Sequence, residues 1–284
     1  MKNYAALIMD LKKSRAYSVE DRNSIQNYIL SVIQYLNIVF SLAVIREVEF
    51  SAGDEMQGLF SSPEAAYLYF RMFRMIVFPV ETRAGIGVGV WNVKIEHAST
   101  TAQDGPVYHN ARHAIEHAKN AQGYPALLYS ETKNDVFLNT PINTPFVLTS
   151  KHSEYQNELM LMLELLYPIN FQQVVDDSKI NLIFELVTSK DKLNYYTNYK
   201  KRRAFKKYPF VMAQSANLEP FPIEAANNQE DFYVAAGKKR GMTTQLSEIL
   251  NISRQSIEKT FKTANIYEAR NSTIAALLLM DKYL

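Results

Sequence analysis

Apolar and polar positions in the first 130 or so residues switch between a strand period and a helix period, in the order β-α-β-β-α-β-α-β. Residues 4–10 form a continuous apolar run ending on Asp10, the pattern of a strand buried on both faces that stops at a site. Ser18 is an N-cap candidate, and Ile25, Ile29, Val32, Ile33 and Leu36 recur at helical spacing, which predicts a long amphipathic helix from Val19. Residues 44–52 read as a strand, Gly53-Asp54 as a tight hairpin turn, and residues 56–60 as the returning strand. A second helix starts with Ser62 as cap and Pro63 at the first helical position, where its missing N–H costs nothing, and runs to about Phe78. In residues 83–90, Gly85, Gly87 and Gly89 alternate with Ile86, Val88 and Val90, so one face of that strand is bare backbone. Three glycines weaken a strand, and the spacing implies close approach by a helix, a ligand or another subunit. A helix over 107–119 and a short strand over 127–129 complete an α/β (α+β) module compatible with an antiparallel-centred, ferredoxin-like sheet.

Beyond this module the signals are mixed. The pattern predicts a loop containing Pro141 and Pro145, a helix over 154–166, a strand over 180–186, and a polar linker around Pro220, Phe221 and Pro222 that ends near Asp231. The chain therefore divides into a module of residues 1–130, a connecting region of 131–230 and a terminal domain of 231–284. Within that last part, residues 244–250 make a short helix with Leu246, Ile249 and Leu250 inward, and Asn251 sits where a left-handed turn favours Gly or Asn. Ser253 can cap a following helix with Ile257 and Phe261 inward at i, i+4. The pattern resembles a DNA-binding helix-turn-helix, with Arg254, Gln255, Ser256, Lys259 and Lys262 left outward for base edges and phosphates. The apolar run 274–280 is expected to pack this domain or a dimer.

Composition adds limits. At 284 residues and 47% hydrophobic content the chain can bury a sizeable core, and without cysteine it can form neither disulfides nor thiolate metal sites. Its apolar runs are too short or too interrupted to span a membrane, so a cytoplasmic protein is expected. The net charge of +2 conceals an asymmetry: residues 190–262 hold 14 Lys and Arg against 7 Asp and Glu. A polyanion would meet that part. Lys200, Lys201, Arg202, Arg203, Lys206 and Lys207, interleaved with Tyr199, Phe205, Tyr208 and Phe210, fit nucleic acid by charge and stacking, and fit equally a helix with a solvated basic face. His109, His113 and His117 have the i, i+4, i+8 spacing of zinc ligands, but Val107, Ala111, Ala114, Ile115 and Ala118 already define the buried face, which turns the histidines toward solvent or a partner.

The sequence of Asp10 at a strand end, Asp54 in a Gly-Asp hairpin, Arg83-Ala84-Gly85-Ile86-Gly87 and the run from Gly105 to Arg112 resembles the class III nucleotide cyclases and, more closely, the bacterial SatD family. The resemblance implies that Asp10 and Asp54 hold Mg²⁺ or Mn²⁺ on a nucleoside triphosphate, and that Leu11, Lys12, Lys13 and Gly53 surround the nucleotide. It further implies that the site forms in a homodimer, and Arg112 is placed to neutralise charge developing on the phosphates in the transition state. Magnesium suits this scheme, since it binds through one or two carboxylates plus substrate phosphates. The chain departs from the cyclase pattern at Tyr108, where the family has its catalytic asparagine, and at Phe50, where it has a purine-selecting lysine. Lys12 and Lys13 replace a small or apolar pair, and they fit a role in holding phosphate and equally one as solvated surface charges. The expected function is a nucleotide- or metal-binding cyclase-like regulator coupled to DNA binding. An active cyclase or related nucleotidyl-transfer enzyme and an inactive interaction scaffold are the alternatives.

Overall fold

The apolar run that ends on Asp10 is strand β1 (Asn3–Leu11), with Ala5 to Met9 almost fully buried. The structure is a computed structural model that describes residues 2–190, 192–202, 219–224 and 232–284. Helix α1 (Val19–Val39) follows, its first turn closed by Ser18, whose hydroxyl accepts the Asp21 N–H. Strands β2 (Val44–Ala52) and β3 (Glu55–Phe60) flank the two-residue Gly53-Asp54 turn, where Gly53 adopts φ 63°, a left-handed conformation open to glycine without strain. Helix α2 (Pro63–Val77), β4 (Thr82–Val90), α3 (Pro106–Asn120) and β5 (Ala126–Tyr129) complete the module in the expected order.

These strands form a mixed sheet of order β2-β3-β1-β4-β5, with β1 antiparallel to both neighbours and β5 parallel to β4. Because side chains alternate across a strand, Ala5, Leu7 and Met9 join α1 and α2 in the main core. Ala6 and Ile8 face a smaller core under α3 with Leu59, Val107 and Ala111. The glycine face of β4 is explained by α3. A β-carbon on Gly85 would lie 2.6 Å from the Ala111 carbonyl oxygen, and one on Gly87 would lie 2.7 Å from the Ala111 α-carbon. The helix backbone thus rests directly on the strand, and helix packing accounts for these two glycines.

Two expectations fail beyond residue 130. The predicted loop around Pro141 and Pro145 is helix α4 (Asp135–Thr149), with both prolines inside it. Proline in a helix interior removes a hydrogen bond and crowds the preceding turn, yet tertiary contacts hold α4. Leu138, Ile142 and Phe146 form a buried i, i+4, i+8 stripe. The Asn139 and Asn143 side-chain amides each accept a backbone N–H and donate to the carbonyl of the same β5 residue, Leu128 and Ala126 respectively. Two asparagines thereby stand in for a sixth strand at an edge whose backbone groups would otherwise be buried without partners. The predicted strand over 180–186 is part of helix α6 (Asn181–Lys190), in which Ile183, Phe184 and Leu186 are buried. A short apolar run does not separate strand from helix by period alone.

Between them, α5 (Glu154–Leu166) begins with a complete capping box of Ser153 and Gln156. Strand β6 (Ile169–Asn170) precedes α6; then come α7 (Asn194–Arg202) and β7 (Ile223–Glu224), which pairs in parallel with β6. Helices α8 (Met242–Leu250), α9 (Arg254–Thr263) and α10 (Ile266–Tyr283) close the chain. One hydrophobic core runs from β1 to α10, crossing the boundaries near residues 130 and 230. Ile274, Leu277 and Met280, from the terminal apolar run, are buried in it. Arg270 is 0% exposed and bridges α10 to the rest. It pairs with Glu164 at 2.5 Å, which also pairs with Arg71 at 2.6 Å, and it donates to the carbonyls of Gly237 and Tyr167. No helix is long and apolar enough to cross a membrane among the described residues.

Candidate functional site

Register brings charged groups together at the end of β1. Asp10 lies opposite Glu55 of β3 on one side and Arg83 of β4 on the other, so the three side chains share the face of the sheet that α3 covers. Asp10 is 7% exposed. Its Oδ2 accepts from Arg83 Nε at 2.8 Å and pairs with Arg83 Nη2 at 2.6 Å, while its Oδ1 accepts no hydrogen bond among the described residues. Glu55 is gripped from α3: Arg112 Nη1 and Nη2 donate to its two carboxylate oxygens, each at 2.6 Å, the parallel fork that makes arginine–carboxylate pairs strong. That hydrogen bonding to Glu55 raises the Arg112 pKa above its ordinary value, against partial burial. The glycine-to-backbone contact of β4 and α3 sets where Arg112 starts.

Asp10 and Arg112 are site candidates from sequence, Arg83 is legible there only as part of a motif with no role, and Glu55 is not singled out at all. The two-residue hairpin signals that Glu55 begins the return strand; that Asp10 faces it follows only from strand pairing. Asp54 sits in the exposed turn, half-buried, and its carboxylate forms no hydrogen bond or ion pair among the described residues. Gly53 is exposed, and its carbonyl accepts from Gln26 of α1 at 3.3 Å. Leu11 turns its side chain into the main core at 3% exposure and pairs with Thr82, so it offers a ligand backbone only.

Lys12 and Lys13 occupy the bend after β1. The Lys12 N–H donates to the Glu81 carbonyl at 2.8 Å, and Lys13 takes a left-handed φ of 56°. Burial, and then the nearby Arg74 charge, lower the Lys12 pKa. Both lysines line a cleft of about 520 Å³ with Tyr17, Ser18, Tyr195 and Tyr199. Asp21 and Glu81 line the same cleft, so its two cations are set against two carboxylates, and its tyrosines suit a ligand with a planar part.

Hard oxygen donors are available for the implied Mg²⁺ or Mn²⁺. The open Oδ1 of Asp10 and the uncommitted carboxylate of Asp54 are of the right chemical type, whereas both oxygens of Glu55 are occupied by Arg112. No group of three or more His, Asp or Glu side chains suited to a metal forms among the described residues, and a metal here would rely on ligand phosphates for much of its shell. The histidine stripe of α3 is exposed; the His113 ring lies tilted against His117 and Tyr129 at ring-centroid distances of 4.2 and 4.3 Å. Tyr108 belongs to the small core under α3, and Phe50 packs on the main core.

At the other end of the chain, α8 and α9 meet at Asn251, which takes φ 51° and ψ 44°. The Ser253 hydroxyl accepts the Ser256 N–H and starts α9. Leu246, Ile249, Ile257 and Phe261 are buried, and Arg254, Gln255, Ser256, Lys259 and Lys262 are exposed. Arg254 pairs with Glu258 at 2.9 Å, an acidic group on the same exposed helix. Of the upstream basic run, Arg203, Lys206 and Lys207 lie outside the described residues.

A family model described as the SatD family matches residues 4–202, well over half of the chain. The chain belongs to the SatD family. The match takes in the whole sheet, the cleft beside Lys12 and Lys13, and helices α1 to α7; α8 to α10 lie beyond it. No curated protein matches the chain.

Proposed function

We propose that this SatD-family chain is a nucleotide-responsive regulator, in which a cyclase-like module binds a nucleoside triphosphate with Mg²⁺ or Mn²⁺ and is coupled to a DNA-binding helix-turn-helix. The observation that carries the reading is the cluster at the end of β1: Asp10, Glu55, Arg83 and Arg112, flanked by the Gly53-Asp54 turn and the Lys12-Lys13 bend. Carboxylates there serve a divalent cation and the cations serve phosphates. The strand order β4-β1-β3-β2 with an antiparallel centre supports a ferredoxin-like, cyclase-like assignment. Asp10 and Asp54 would hold the metal; Lys12, Lys13 and the backbone of Leu11 and Gly53 would meet the nucleotide.

Binding is favoured over turnover by the state of Arg112. Its guanidinium is committed to Glu55 through both ends of its fork, and it must release that carboxylate before it can neutralise charge developing on a phosphate. Tyr108 and Phe50, which stand where cyclases have ring-closing and purine-selecting groups, serve the cores instead. On the DNA side, α9 offers three exposed cations and two exposed hydrogen-bonding side chains on an outward helix, which suits major-groove insertion by a cytoplasmic homodimer.

Equilibrium dialysis with each nucleoside triphosphate tests the first half. Saturable binding should require Mg²⁺ or Mn²⁺, and Asp54→Ala should weaken it at least about tenfold; unchanged affinity in that variant refutes the metal assignment. Pyrophosphate release that Asp54→Ala abolishes would make the chain an enzyme. For the second half, mobility shifts at low salt should weaken in Arg254→Ala and Lys259→Ala, and failure to shift any duplex sinks DNA binding.

A further inference from the structure

A second cavity, of about 330 Å³, opens between α2, α4 and α5, and Arg74, Glu81, Phe146, Lys151 and His152 are among the residues that line it. Arg74 is the group that needs explaining. Its Nη1 donates to the Thr82 carbonyl at 2.8 Å and its guanidinium lies 5.5 Å from the centre of the Phe146 ring, but it has no carboxylate partner within ion-pair distance among the described residues. Arg74 is partly buried, and a cation drawn part-way out of water gains from a charged partner. Desolvation lowers the Arg74 pKa to about 10, with Glu81 opposing the shift, so the group is still cationic at neutral pH. Glu81 itself is exposed.

His152 is 8% exposed, and only one of its ring nitrogens is satisfied. Nε2 lies 2.6 Å from the Ala264 carbonyl, and since a carbonyl only accepts, Nε2 carries the hydrogen. Nδ1 is buried without a hydrogen-bond partner. Burial lowers the pKa of this histidine, the hydrogen bond to Ala264 opposing it, so the imidazole is held neutral. Lys151 stands exposed at the rim, and Arg71 is already neutralised by Glu164.

We propose that this cavity is a binding site for a small organic carboxylate or phosphate, held by the free side of the Arg74 fork with Lys151 and a protonated His152. Arginine's planar fork matches either anion, and an anion in the cavity favours the cationic form of the imidazole that lines it. Phe146, Met75 and Met160 supply an apolar wall for a short carbon chain. Because Ala264 is the C-cap of α9, the same imidazole touches both the cavity and the outward helix. The cavity adjoins the cleft beside Lys12 and Lys13, with which it shares Pro79, Glu81 and Tyr199, and titration of the His152 imidazole distinguishes an anion bound here from one bound there.

Calorimetric titration of the full chain with inorganic phosphate and, separately, with succinate tests the proposal. One or both probes should bind saturably with a Kd of about 10 mM or tighter, and which one binds identifies the anion class. Arg74→Gln should weaken binding about tenfold or more. In parallel, the His152 imidazole NMR signal, assigned by its loss in His152→Gln, should titrate at higher pH when the anion is present; this readout is local to the cavity and uses the native chain. Should Arg74→Gln fail to fold, Lys151→Gln at the exposed rim takes its place and should weaken binding severalfold. Absence of saturable binding of either probe, binding unchanged in the substituted chain, or a His152 titration indifferent to the anion overturns the proposal.

Discussion

A single methyl group added to Gly87 would drive a carbon into the backbone of α3. It would lie 2.7 Å from the Ala111 α-carbon and would also meet the Ala111 amide nitrogen and the Val107 carbonyl oxygen, none of which is a side-chain end that can swing away. Gly85 is in the same position against Ala111 and Ile115. Gly89 differs, since its nearest neighbour would be the Val107 nitrogen at 3.2 Å, a gap that a few tenths of an ångström of movement restores. The three glycines therefore form a graded series on one strand. Replacing glycine by alanine in a strand stabilises by roughly 0.5–1 kcal/mol where there is room. Overpacking a core costs about 1–3 kcal/mol and more when backbone must separate. Gly89→Ala should therefore come out near neutral, while Gly85→Ala and Gly87→Ala should each lose about 2 kcal/mol or more. Urea denaturation followed by circular dichroism reads the series. Because α3 carries Arg112, the proposed binding of nucleoside triphosphate should also differ between a folded Gly87→Ala protein and wild type. If Gly87→Ala is within about 0.5 kcal/mol of wild type, the helix is not seated on this strand and the placement of Arg112 over Glu55 is wrong.

Glu164→Gln should cost about 3–5 kcal/mol, because it removes the anion between two buried arginines, Arg71 and Arg270, in denaturant unfolding. Burial alone would raise the Glu164 pKa, but Arg270 and Arg71 outweigh it and hold the group below the ordinary carboxylate value. Its contribution is therefore present above the unfolded pKa of about 4.3 and is lost as pH falls through the folded one. Comparing wild type with Glu164→Gln in acid titrations should show that part of the wild-type acid sensitivity has gone, and equal slopes would contradict the assignment. Asn251→Gly should keep the α8–α9 turn, whereas Asn251→Val should lose about 1–2 kcal/mol in thermal unfolding, because φ 51° is a left-handed conformation that β-branched residues resist. Equal stability of the two variants would count against the turn.

Much of the sheet module and of the α8–α9 pair is legible in local pattern. Ser18 and Ser62 with Pro63 mark helix starts, the Gly53-Asp54 pair marks a two-residue hairpin, and Asn251 followed by Ser253 marks the break between α8 and α9; each acts through backbone chemistry a few residues long. The same holds for Asp10 as a strand-end carboxylate. What the chain alone leaves open is who stands beside whom. Glu55 and Arg83 look like ordinary charges until antiparallel pairing sets them on either side of Asp10. The alternating glycines admit several explanations until α3 is seen resting on them. Pro141 and Pro145 argue against a helix on local grounds, and α4 forms because buried contacts under α10 and the two asparagine amides bonded to β5 outweigh that preference. Arg74 and His152 lie 78 residues apart, and nothing in either neighbourhood announces a shared cavity. Local propensity is a matter of a kilocalorie or so per residue, enough to place caps and turns. The charge pairs, the helix-on-glycine contact and the α4 helix depend on long-range packing, whose energies are larger and whose partners only the folded chain specifies.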